Sequence, residues 1–137
     1  MLSQDRLALN RTMRLTFEGS LPTVDYYLAD ANYELDENKT SAVFAFNPDV
    51  SEPVTISSAN IWRQLGIATL QILQPKDIDI AEGEPDAWEI ADTATAAFKQ
   101  WRSDDKLTEV YKFAVNRIQN DKYLQLNVLI YWRSKRP

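Results

Sequence analysis

The chain contains no histidine, no cysteine and only three glycines among its 137 residues. Without imidazole or thiol it lacks the commonest metal ligand and the commonest acid–base group near neutral pH. A disulfide framework and thiolate chemistry are closed to it as well. A nucleophilic triad needs a general base beside its serine or cysteine, so only serine–lysine or paired-carboxylate schemes remain, and neither leaves a recognisable local pattern. The glycines, Gly19, Gly66 and Gly83, stand far apart, which excludes a phosphate-cradling loop. No apolar run approaches the roughly 20 residues that span a bilayer. Met1 to Phe17 is broken by Asp5, Arg6, Arg11 and Arg14, unlike a signal peptide, so a soluble protein made inside the cell is expected. Asn10-Arg11-Thr12 and Asn38-Lys39-Thr40 fit the glycosylation triplet, which has no use without secretion.

What is present is core-forming material: 45% apolar residues and 11% aromatic, in a length suited to one domain with one core. Twenty acidic against 15 basic side chains give a formal net charge of -5, a field that repels phosphate backbones and disfavours general nucleic-acid binding.

The spacing of Leu2, Leu9, Met13 and Phe17 predicts an amphipathic helix over about 3–17, stopped by Gly19 and Pro22. Residues of about 23–40, with Tyr26, Tyr27 and Tyr33 among acids and amides, have no clear period. They read as an extended arm with at most short strand pieces, either solvated or touching a neighbouring subunit. Ser41 to Phe46 is β-prone and is closed by the turn signature Asn47-Pro48-Asp49. Val54 to Trp62 and Ile67 to Leu73 read as a β-hairpin with its reversal at Gly66. A polar loop, Pro75 to Glu84, leads to a long amphipathic helix over about 85–101. Pro85 is expected in its first turn and Ala87, Ile90, Ala91, Ala94, Ala97, Phe98 and Trp101 on its inner face.

Trp88 falls on the outer face of that helix, where it either folds onto a loop or meets a partner. Val110 to Ile118 and Tyr123 to Trp132 flank the polar turn Gln119-Asn120-Asp121-Lys122 and predict a second hairpin. Leu124, Leu126, Val128, Ile130 and Trp132 point to the core there, matched by Tyr111, Phe113 and Val115 in a central strand pair. The fold class is therefore α+β: a mainly antiparallel sheet packed against two helices.

Asp77, Asp79, Glu82, Glu84 and Asp86 form the densest acidic cluster but lack the ligand spacing of a calcium loop, so no metal is expected. Trp101-Arg102 and Tyr131-Trp132-Arg133, with Lys135 and Arg136, set aromatics beside cations. Base stacking uses such groups, and so does a core edge followed by a solvated charged terminus.

Three segments carry a family resemblance: Arg63 to Pro75, read as a strand following an Arg-x-x-Gly turn and ending in proline; Ile90-Ala91-Asp92 with Ala96-Ala97-Phe98 in the second helix; and Tyr123 to Val128 in the closing strand. Together with the order of elements they resemble the tail terminator, or tail-completion, proteins of long-tailed bacteriophages. About half the chain is covered. The loop after Pro75 has fewer glycines than that family's, and Thr23 to Asn47 shows none of its motifs.

The resemblance implies a structural virion protein made in the host cytoplasm, with neither catalysis nor cofactor. It implies a six-membered ring at the head-proximal end of the tail tube that stops polymerisation and offers a docking surface to the head. The implied partners are copies of itself, the tube protein and a head-side connector or stopper protein, with DNA only passing through the lumen and no membrane. Candidate interface or lumen residues are Tyr26, Tyr27, Tyr33, Asp77, Asp79, Glu82, Glu84, Trp88, Arg133, Lys135 and Arg136. The competing expectations are another neck protein, a stopper or head-completion subunit, and a small hydrolase working through two carboxylates.

Overall fold

The computed structural model describes residues 2–53, 62–77, 79, 80 and 82–136. Helix α1 (Leu2–Ser20) is followed by strands β1 (Asp25–Leu28), β2 (Ser41–Pro53) and β3 (Trp62–Pro75). Helix α2 (Ala87–Phe98) and strands β4 (Thr108–Ile118) and β5 (Tyr123–Arg136) complete the chain. The strands form one sheet in the order β1-β2-β3-β5-β4, antiparallel throughout except for the parallel β1–β2 pair. This is the α+β class expected.

Both helices lie on one face of the sheet. Leu9, Met13 and Phe17 of α1 join Ile90, Ala94 and Phe98 of α2 over Ala42, Phe44, Ala68, Leu70, Ile72, Leu126, Val128, Ile130 and Trp132 in one buried cluster. Alternation along the strands explains the membership, because successive side chains point to opposite faces. On α2 the alanines at 87, 91 and 94 are buried and allow the helix to approach the sheet closely. Asp86 caps α2, its carboxylate accepting the Glu89 N–H at 2.8 Å, and Gln74 Oε1 accepts the Ala87 N–H at 2.7 Å. Trp101 ties the end of α2 to α1: its ring lies edge-on to Phe98 and its Nε1–H donates to Thr12 Oγ1 at 3.1 Å.

Several sequence expectations are corrected. The helix placed over about 85–101 spans 12 residues, Pro85 precedes its cap, and α1, at 19 residues, is the longer of the two. Asn47-Pro48-Asp49 is not a turn but a β-bulge inside one long strand. Among the described residues no strand pairs with the outer edge of β2 beyond Phe44, a place where a proline is tolerated. Gly66 does not reverse the chain. It sits within β3 opposite Pro48 and Trp132, and a Cβ there would lie 2.6 Å from the Asn47 carbonyl oxygen and against the Trp132 indole.

The hairpin joins β2 to β3, and residues 54–61, expected as strand, lie outside the described residues. The central pair is β3 and β5, whereas β4 is an edge strand. A bulge between Val110 and Lys112 leaves Tyr111 exposed and on the opposite face, against Arg133 and Tyr131, while Phe113 and Val115 keep the core register.

Candidate protein-interaction surface

Among the described residues no helix lies on the second face of the sheet. Its central rows are Ala45–Thr69–Leu129–Ala114 and Asn47–Ile67–Tyr131–Lys112, read across the paired strands. Thr69, Ile67, Leu129 and Tyr131 are all half-buried, and Lys112 lies over the Tyr131 ring at 4.9 Å. In these rows the central strands β3 and β5 carry no charged residue, and Lys112 stands on the edge strand β4.

At the end of the sheet where β3 finishes, the arm folds back over this face. The parallel register pairs Tyr27 with Val43, which puts Tyr27 on the uncovered side, where Tyr33 stacks on it at 5.1 Å. Desolvation, helped by Asp25 and Asp36, raises the Tyr27 phenol above its ordinary value. Glu37 reaches Lys122 in the β4–β5 turn at 3.8 Å. Ser41, Val43, Leu73 and Gln125, all buried residues of this face, lie at that end. Tyr26 points the other way and stacks on Phe17 at 4.7 Å. Burial pushes its phenol well above the usual tyrosine range, and its ring packs on the edge of the core.

Asp77, Asp79, Glu82 and Glu84 are all exposed at the same end. Asp79 and Glu84 join Asp25, Lys39 and Pro85 around a groove of about 350 Å³. Among the described residues no three acidic side chains come close enough together to hold a metal ion. Trp88 stands 49% exposed on the outer side of α2.

The opposite end of the sheet is basic. Arg63, Arg102, Lys106, Glu109, Arg133 and Lys135 line a concavity of about 520 Å³. Arg133 Nε meets Glu109 at 2.6 Å, Arg102 meets the same carboxylate at 3.4 Å, and the Arg133 guanidinium stacks over Tyr111 at 4.8 Å. Sequence reading noticed Arg102 beside Trp101 and Arg63 at the start of its strand but not that they meet, and it passed over Lys106, because these residues are scattered along the chain and only the fold brings them beside the basic tail.

Arg136 is a correction. Expected in a solvated tail or facing a partner, it is 3% exposed and continues β5 into a buried polar network. Its Nε donates to Asp5 at 2.8 Å, Nη1 to Asp105 at 2.6 Å and Nη2 to Thr108 Oγ1 at 2.9 Å. Asp5, fully buried on the inner side of α1, also accepts from Thr108 at 2.6 Å and Ser134 at 2.9 Å. Asp105 accepts from Ser103 and the Leu107 N–H, and these bonds with Arg136 hold its carboxyl down at about 2. The network joins the start of α1 to both C-terminal strands, and no sequence signal announced Asp5.

No protein-family model and no curated protein matches this chain. Solved structures do match it. One, a protein whose name states no function, superposes with a TM-score of 0.67 at 12% identity, covering 96% of this chain and 94% of its own. At that identity the likeness is one of fold, and it extends over nearly all of the chain.

Proposed function

We propose that the chain is a structural subunit of a long-tailed bacteriophage virion, of the tail terminator type, which assembles as a ring on the head-proximal end of the tail tube. There it stops tube growth and offers a docking surface to a head-side protein, and DNA passes through the bore without being read. The single observation that carries this reading is the uncovered sheet face, without charge in the central rows of β3 and β5 and rigidly backed by two helices. Such a face on a two-layer domain suits a subunit whose work is association, and repeated interfaces let modest contacts add up through avidity. The element order is the one on which the resemblance to tail terminators rests.

Tube protein polymerised with and without the chain tests this proposal. Tubes of defined, shorter length in its presence are expected, and an unchanged length distribution overturns the reading. Particle imaging separates a terminator from a stopper or head-completion subunit by asking whether the chain touches tube protein. Turnover of a saccharide that is lost in Asp79→Asn would replace both with a carboxylate hydrolase acting at the groove beside β1.

A further inference from the structure

The two charged ends of the sheet are far apart on one molecule. Arg63, Arg133 and Lys135 sit at the end where β3 begins and β5 finishes, whereas Asp77, Asp79, Glu82 and Glu84 follow the end of β3. The β3 residues from 64 to 75 lie between Arg63 and Asp77, which at about 3.3 Å per residue is roughly 40 Å. That is about four Debye lengths at 0.1 M salt, so neither end screens the other within one chain.

At the basic end, Arg102, Lys106, Arg133 and Lys135 line the concavity, and among the described residues lining it Glu109 is the one carboxylate. That carboxylate is already shared between Arg102 and Arg133. Leu107, 39% exposed, adds apolar surface to the wall. Asp77, Asp79, Glu82 and Glu84 are exposed, and the groove beside Asp79 and Glu84 is lined from the β1 side of the sheet. The basic corner lies instead beside β4, since Arg102 bridges to Glu109 there. The two charged surfaces therefore sit at diagonally opposite corners.

We infer that the basic corner of one subunit receives the acidic 77–84 loop of a second copy of this chain, in a head-to-tail contact. A two-fold contact through either corner would press like charges together, which costs several kcal/mol. A head-to-tail contact pairs opposite charges at every joint, and such joints close into a ring when the rotation permits. The inference rests on the reading that the chain assembles with its own copies. It names the surfaces that meet, and it puts Asp77, Asp79, Glu82 and Glu84 at subunit joints instead of along the bore.

The absence of cysteine makes the test clean. Lys135→Cys and Glu82→Cys, both at exposed positions, are prepared separately, then oxidised alone and as a mixture at about 1 mM protein. A disulfide-linked pair is expected in the mixture at low salt, about tenfold more abundant than in either variant alone. At about 1 M salt, where the Debye length is about 3 Å, that excess should vanish. Equal yields in mixed and unmixed samples, or no pair in the mixture, overturn the proposal.

A second pair of variants reads the same contact without cysteine. Arg102→Glu with Lys135→Glu should weaken self-association, and adding Asp79→Lys with Glu82→Lys should restore it between the two variants. If both charge-reversed proteins still shorten tubes as the native chain does, the contact is wrong and the terminator reading stands. If crosslinking follows charge but tube length never responds, the contact stands and the terminator reading falls.

Discussion

Thr69 and Leu70 are neighbours on β3, yet Leu70 is sealed beneath the helices while Thr69 is half-exposed on a face that no helix covers. The same division runs across the whole sheet: Leu126, Val128, Ile130 and Trp132 of β5 are fully buried, and Asn127, Leu129 and Tyr131 between them are not. One face carries the stability, and among the described residues no helix covers the other. The covered face is itself divided, because past Trp132 its apolar residues give way to Ser134 and Arg136, and α1 answers with Asp5 where Leu9, Met13 and Phe17 stood further along.

The largest effect should come from that polar end. Asp5→Ala leaves the Arg136 guanidinium buried without its main counter-charge and is expected to cost about 3–5 kcal/mol in urea unfolding. A smaller loss would mean that Asp105 and water replace the lost oxygen acceptors. Leu70→Ala removes a fully buried side chain from the middle of the covered face and should cost about 3 kcal/mol.

Gly66→Ala comes next, at about 1–3 kcal/mol, because the new methyl group meets backbone and a rigid indole, neither of which yields easily. A neutral outcome by thermal unfolding would show that β2 shifts at its bulge to make room. Thr69→Ala, one residue from Leu70, should cost about 1 kcal/mol or less. A loss equal to that of Leu70→Ala would erase the distinction between the faces.

The smallest effect concerns acid. The Asp105 carboxyl is held from its ordinary 3.8 down to about 2 in the fold, so its contribution is present above about pH 4 and is lost as pH falls towards 2. Asp105→Asn should therefore flatten the fall in stability across that window and leave its slope near neutral pH unchanged. An unaltered acid profile would mean that the Ser103, Leu107 and Arg136 bonds do not hold the carboxyl in its charged form.

Much of the architecture was readable because it rests on period. The strip Ala87, Ile90, Ala91, Ala94 and Phe98 has helical spacing, and Leu124 to Trp132 alternates as a half-buried strand should, so both elements and their inner faces followed directly. Gly66 and Pro48 were misread because local rules treat glycine and proline as punctuation. In the sheet, one makes room for an indole from another strand, and among the described residues no strand pairs with the edge on which the other sits. Tyr27 and Tyr33 were noticed as arm aromatics, but that they stack on each other over the sheet is a matter of the parallel β1–β2 register.

The sequence by itself determined the α+β class, the β4–β5 hairpin and the apolar inner faces, because short-range spacing dictates which side of a helix or strand is greasy. The missing imidazole and thiol likewise limited the chemistry from the outset. Only the tertiary structure decided that Arg136 is buried against Asp5, 131 residues earlier, and that cations at 63, 102, 106, 133 and 135 share one concavity. Strand order and bulges set those meetings, and they are relations between distant segments that no local pattern encodes.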